Sequence, residues 1–263
     1  MNFRELGLSE QTIKAIDEYG ITTPTTVQAD VIPAILEGRD IFTIAPARCG
    51  KTMSYVLPLL DIINAKKAKN ILIITANSQM AVKISDCLAI FNKYHEAQKD
   101  ENDDSSNEAN VIIGAPDLLL DVADGSKVDL SQVDILVVDD INLIKKNKQL
   151  DNLEKILAML PAQKQNVVYT NRRSKETQTI LSKILQAPAE IKIDKDKEKE
   201  AENSTNCTDN KTFASDRTNA SSFVDAWDDE AIAMSKKFNS FGGHTPKFVL
   251  IKGIMAEGED KNI

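Results

Sequence analysis

Apolar residues along this chain fall into two alternating patterns. The stretches 40–45, 70–75, 111–114, 134–139, 166–169 and 190–193 are short and rich in Ile, Val and Leu. Most run solidly apolar, as strands buried on both faces do, where half-solvated strands would alternate with polar residues. Between them, over 51–65, 78–94, 116–122, 149–160 and 175–185, apolar residues recur at helical spacing. A shorter helical segment precedes the first strand. Strand and helix in strict alternation predict an α/β domain, a parallel sheet covered by helices on both faces. In such sheets ligands bind beyond the carboxyl ends of the strands.

Two segments break the pattern. Residues 98–110 are acidic, rich in Asn and Ser, and contain no apolar side chain larger than alanine, which predicts a surface loop. Residues 194–219 are charged and polar and read as a linker. Beyond them Trp227, Ala231, Met234, Phe238 and Phe241 return at spacings of four, three, four and three, one face of a helix. Asp228, Asp229 and Glu230 would sit in its first turn, where the helix dipole favours carboxylates, and Gly242-Gly243 would end it. The short run beginning Phe248-Val249-Leu250 predicts a further strand. The expected organisation is therefore a domain over 1–193, a linker over 194–222, and a tail over 223–263 that either folds back or anchors a partner.

Composition narrows the chemistry. The chain has 263 residues, is 42% hydrophobic and carries a net charge of −8. That sign does not suit a wide basic surface for nucleic acid, so any RNA contact has to be local or indirect. The cysteines Cys49, Cys87 and Cys207 lack metal-ligand spacing, with His95 and His244 the only histidines, and read as free thiols of a reducing compartment. No apolar run approaches the ~18 residues of a spanning helix, and the N-terminus lacks a signal-peptide core, so no membrane association is expected and the location is read as cytoplasmic or nuclear.

The strongest chemical signal is Gly50-Lys51-Thr52, placed between a predicted strand and a predicted helix. In that context backbone N–H groups of the loop 47–52 (Ala47, Arg48, Cys49 and Gly50 onward) and the helix N-terminus cradle phosphates. Lys51 reaches the outer phosphate oxygens and Thr52 binds Mg²⁺. The leading glycine of such loops is Ala45 here, and Arg48 stands where the backbone must turn sharply. A second acidic signal, Val137-Val138-Asp139-Asp140-Ile141-Asn142, follows another predicted strand, and Asp139 is a candidate Mg²⁺ ligand.

These motifs, in this order over 1–193, resemble the first RecA-like domain of DEAD-box RNA helicases. Gly20-Ile21-Thr22-Thr23-Pro24-Thr25-Thr26-Val27-Gln28 is similar to the family's adenine-reading motif, with Phe3 as its upstream aromatic. The resemblance implies ATP and Mg²⁺ as cofactors, with Gln28 on the adenine edge and Phe3 stacked on its ring. It implies Lys51, Asp139 and Asp140 as the catalytic set. Departures from the family pattern form a series. Asp140 replaces a glutamate and is one methylene shorter, and Asn142 replaces the last acid. Thr170-Asn171-Arg172 replaces Ser-Ala-Thr, the family's link between hydrolysis and strand separation. Ser78 and Leu118 replace RNA-holding arginines, and the Gly-Gly segment has no counterpart. The residues left after 193 are too few for the second domain that supplies arginine fingers.

The expected function is thus a nucleotide-binding pseudo-helicase, a subunit or scaffold of an RNA–protein complex with weak or lost turnover. The alternative is an active ATP-dependent RNA helicase module completed in trans. The string Trp227-Asp228-Asp229 also resembles the N-terminal acidic-aromatic helix of the survival motor neuron (SMN) protein, which implies snRNP assembly and SMN complex subunits as protein partners.

Overall fold

The structure, a computed structural model, describes residues 1–96, 110–124, 129–185, 188–193 and 248–250. A 3-10 turn over Phe3–Leu6 leads into α1 (Glu10–Glu18) and α2 (Thr26–Leu36). Then β1 (Ile41–Ile44), α3 (Lys51–Asn64), β2 (Asn70–Ile74), α4 (Ser78–Glu96), β3 (Asn110–Gly114) and α5 (Pro116–Asp124) alternate. They are followed by β4 (Ile135–Val138), α6 (Ile141–Lys146), α7 (Leu150–Met159), β5 (Gln165–Thr170), α8 (Lys175–Ile184), β6 (Ala189–Lys192) and β7 (Phe248–Leu250). The strands form one sheet in the order β6-β1-β5-β4-β2-β3-β7, and every pairing is parallel.

The sheet separates two hydrophobic cores. Alternate strand residues Ile41, Ile71, Ile73, Val111, Ile135, Val137, Val167 and Tyr169 face α1 to α4. Their neighbours Phe42, Ile44, Leu72, Ile74, Ile112, Leu136, Val138 and Val168 face α5 to α8. This explains the solid apolar runs, because a strand sandwiched between two helix layers has no wet face on which to place polar residues.

Most expected elements are found with ends shifted by one or two residues. The six-residue α6 goes beyond the expectation, being too short for periodicity to reveal. Its N-cap is Asp140, whose carboxylate accepts from the Leu143 N–H. The strand expected near residue 248 exists and pairs with β3 at the edge opposite β6. The expected loop 98–110 (apart from its last residue, which starts β3), the linker 194–222, and the helix 227–241 lie outside the described residues.

A buried polar network fixes α1 against the end of α3 and the end of α4. Asp61 accepts from the Ser9 N–H and Ser9 Oγ, both at 2.6 Å, and from Thr12 Oγ1 at 2.5 Å. The Thr12 hydroxyl also lies 2.9 Å from His95 Nε2, and Asp61 Oδ1 is 3.4 Å from the same nitrogen. Since the one Thr12 hydroxyl proton goes to Asp61, His95 Nε2 must carry a hydrogen and donate.

Candidate functional site

The site begins where β1 ends. Gly50 is the N-cap of α3 with φ +83°, a left-handed conformation that suits glycine. A Cβ built there would stand 2.6 Å from Gln28 Nε2 and 2.9 Å from Thr25 Oγ1, so the loop and α2 meet through an atom-sized gap. Replacing Gly50 by alanine is expected to strain the loop by about 1–2 kcal/mol and to push Gln28 away. Thermal melting combined with nucleotide titration checks this, and an unchanged profile would contradict it.

Arg48, expected to obstruct the turn, instead makes it, at φ +67°. Ala47 and Arg48 are exposed, whereas Cys49 and Gly50 are buried and Lys51 and Thr52 are half-buried. The Cys49 thiol donates to the Pro46 carbonyl, and the Cys49 carbonyl accepts from Thr25 Oγ1 at 2.9 Å. Cys49 and Cys87 are free thiols. No cluster of three His, Cys, Asp or Glu side chains that could hold a metal occurs among the described residues.

Gln28 lies against the phosphate loop. It is fully buried, its Oε1 accepts from the Thr25 N–H at 2.9 Å, and its Nε2 donates to the Gly50 carbonyl at 3.4 Å. The amide thus closes a capping box for α2 and touches the phosphate loop, using one of its two N–H donors and one of the two lone pairs on its oxygen. The signal was present in the sequence, since Thr25-x-x-Gln28 is itself a capping-box pattern. Phe3 is likewise a core side chain, 4% exposed, with its ring covered by protein in this conformation.

Opposite the loop lie the ends of β4 and β5. Lys51 Nζ donates to the Ala45 carbonyl at 3.3 Å and stands 3.9 Å from Asp140 Oδ2. Asp140 adopts φ +58°, which turns its carboxylate toward both Lys51 and its own helix N-terminus. Asp139 is 9% exposed, and burial pushes its carboxyl up to about 6, with Lys51 opposing the rise and Asp140 adding to it. Lys51, Asp139 and Asp140 are therefore brought together, and Thr52 follows Lys51 in the first turn of α3. A lysine at a helix N-terminus facing two carboxylates fits a phosphate with a divalent cation. Lys51 would take the phosphate charge, and Thr52 and Asp139 would hold the cation.

Residues the sequence reading had not connected link these parts. Ser54 Oγ donates to the Lys51 carbonyl at 2.6 Å and lies 2.8 Å from the Tyr169 hydroxyl. Its one proton is spent on the carbonyl, so Tyr169 donates to Ser54 and the phosphate loop is tied to β5. Asn142, expected as a lost acid, is buried and ties α6 to the turn after β5. Its Nδ2 reaches Thr170 Oγ1 at 2.7 Å, the Arg172 carbonyl at 2.6 Å and Asn171 Oδ1 at 3.1 Å. Two amide hydrogens serve three acceptors, of which the first two are the closer. An ionised carboxylate at position 142 could not donate to the Arg172 carbonyl, so asparagine makes a connection here that an acid would not.

Comparison with known proteins finds similar chains. A family model described as DEAD/DEAH box helicase matches residues 25–180. The ATP-dependent RNA helicase DeaD of Haemophilus influenzae is 26% identical over 205 residues, covering 73% of this chain and 33% of the relative. The DeaD of Buchnera aphidicola is 29% identical over 203 residues, covering 73% and 34%. The DEAD-box ATP-dependent RNA helicase RhpA of Helicobacter pylori is 27% identical over 202 residues, covering 73% and 41%. The chain thus spans well under half the length of these curated relatives. Among solved structures, a DEAD box protein from Methanococcus jannaschii superposes with a TM-score of 0.65 at 24% identity, covering 74% of this chain and 56% of that one, which supports the fold.

Proposed function

Because the chain belongs to the DEAD/DEAH box helicase family, we propose that it binds ATP with Mg²⁺ and serves an RNA–protein complex chiefly as a nucleotide-binding platform. Bound Mg²⁺ would neutralise phosphate charge. The observation that carries the binding part is the meeting of Gly50, Lys51 and Thr52 at the start of α3 with Asp139 and Asp140 beyond β4. Weak hydrolysis is supported by Asp140, the residue that would position the attacking water. One of its oxygens accepts from the Leu143 N–H in capping α6, the other faces Lys51 at 3.9 Å, and its side chain is one methylene shorter than glutamate, which displaces any water it holds. The platform role is supported by Ser78 and Leu118, which leave no arginine at the positions where the resemblance places RNA contacts.

A second reading is an active ATP-dependent RNA helicase module completed in trans, and the convergence of Lys51, Asp139 and Asp140 speaks for it. Labelled-ATP binding and steady-state ATPase, each with and without RNA, separate the two. Lys51→Ala is expected to weaken ATP binding at least about tenfold, the loss of a charge-assisted contact, while turnover stays slow with or without RNA. RNA-stimulated turnover that Lys51→Ala abolishes would establish the second reading instead. Failure of ATP to bind at millimolar concentration would sink both. Snug placement within an SMN-type snRNP assembly complex, in the cytoplasm or nucleus, is a narrower proposal that rests on 227–241. Recovery of the same protein partners from cells after removal of 223–263 would count against it.

A further inference from the structure

Tyr55 carries a buried hydroxyl for which the fold supplies no hydrogen-bond partner among the described residues. The side chain is fully buried and sits one turn after Lys51 and Thr52 on α3. Helical side chains lean toward the N-terminus, over the residues three and four before them, so the phenol runs along α3 toward Thr52. Its ring packs on Tyr169 at the end of β5, with centroids 5.4 Å apart. Asp139 belongs to the same neighbourhood. Val137 and Tyr169 lie in the core on the α3 side of the sheet, and strand alternation gives Asp139 that side too. The β4–β5 register pairs Val137 with Val167 and, two residues on, sets Asp139 beside Tyr169. The Asp139 N–H still bonds the Ile74 carbonyl at 2.9 Å, so the ladder continues that far.

Electrostatics agrees with this placement. Burial raises the Tyr55 pKa well above its usual value and the Asp139 charge adds to the rise, so the phenol keeps its proton. Thr52 opposes that rise from nearby, without meeting hydrogen-bond geometry. Buried hydroxyls are nearly always paired, and one left unpaired costs on the order of 1–3 kcal/mol. A threonine whose oxygen holds a cation must point its proton elsewhere, and a carboxylate with one oxygen on the cation can still accept with the other. On the nucleotide and Mg²⁺ reading above, we propose that Tyr55 is a positioning residue that joins the two cation ligands. The Thr52 hydroxyl donates to Tyr55 Oη, and Tyr55 Oη donates to one oxygen of Asp139. A Thr52 lone pair and the other Asp139 oxygen are thereby left aimed at the cation. The neighbouring Tyr169 hydroxyl cannot take this part, because its proton goes to Ser54.

Isothermal titration calorimetry of the full chain with ATP, in Mg²⁺ and in EDTA, tests this together with the melting temperature of the nucleotide-free protein. Tyr55→Phe deletes only the hydroxyl. It is expected to cut the ratio of ATP affinity in Mg²⁺ to that in EDTA about tenfold, with the EDTA affinity changed less than about twofold. The nucleotide-free melting temperature is expected to hold or rise, because the unpaired hydroxyl is gone. A role in packing alone would lower both affinities alike, and that result would overturn the proposal. So would a lowered melting temperature, which would mean that the hydroxyl is already bonded in the free fold. An unchanged ratio in Tyr55→Phe, where wild type does gain affinity from Mg²⁺, would overturn the relay and leave the nucleotide site standing. Wild-type binding indifferent to Mg²⁺ would remove the cation site itself, and the relay with it.

Discussion

Replacing Asp139 by asparagine is expected to stabilise the protein at pH 7.5 while removing Mg²⁺-dependent nucleotide binding. Burial in the end of β4 costs the Asp139 carboxylate its hydration, and Lys51 compensates only partly, which leaves its carboxyl at about 6. A folded pKa above the unfolded value of about 4 means the fold binds the proton more tightly than the unfolded chain does. The associated stability is fully present below about pH 4 and is lost as pH rises through about 6. At pH 7.5 the charged side chain therefore disfavours the fold by on the order of 2 kcal/mol. Asparagine removes that charge at nearly constant volume, and the melting temperature should rise by about 5 °C. The same change deletes the buried carboxylate that would hold the cation. Melting curves of wild type and Asp139→Asn from pH 4.5 to 8 check the argument. The two should converge at low pH and separate as pH rises, and a constant gap would contradict it.

The largest loss of stability is expected from Asp61→Ala, on the order of 3–5 kcal/mol by urea denaturation. Asp61 receives the Ser9 N–H, the Ser9 and Thr12 hydroxyls and the His95 ring within one buried cluster, and Thr12 is fully buried. Alanine would leave those donors without their acceptor in a largely buried place. Burial alone would raise the Asp61 pKa, but the bonds from His95, Ser9 and Thr12 outweigh it and the net shift is downward. The stability from this group is therefore present above about pH 4, the unfolded value, and is lost as pH falls through the lower folded value. Asp61→Asn keeps one acceptor oxygen and should fall between wild type and alanine. A cost below about 1 kcal/mol for alanine would mean that α1 is held by its apolar face alone. Burial pushes both carboxyls up; at Asp139 it prevails over Lys51, whereas at Asp61 the hydrogen bonds from His95, Ser9 and Thr12 outweigh it.

Some of this was present in the order of residues and some was not. Ile71 to Ile74 and Ile135 to Val138 announce buried parallel strands because both faces of each strand must be apolar, and that constraint is written residue by residue. Gly50-Lys51-Thr52 was equally legible, since a glycine that needs a positive φ precedes a lysine and a hydroxyl in a fixed local spacing. Asp139 and Asp140 could be named as candidates from their place after an apolar strand. Local patterns carried these conclusions because the physics behind them acts between near neighbours along the chain.

What each candidate actually does depended on contacts between distant residues. Ser54 and Tyr169, Asn142 and Arg172, and Thr12 and His95 are paired only because the parallel sheet brings the ends of β1, β4 and β5 together and the helices pack across them. The sequence by itself determined the α/β domain, the phosphate loop and the residues able to meet a nucleotide. Only the tertiary structure decided that Gln28 is buried against Thr25 and Gly50, and that burial pushes the Asp139 carboxyl up to about 6. The reason is physical. Hydrogen-bond partners, desolvation and charge compensation are properties of a neighbourhood in space, and folding assembles that neighbourhood from residues the chain keeps far apart.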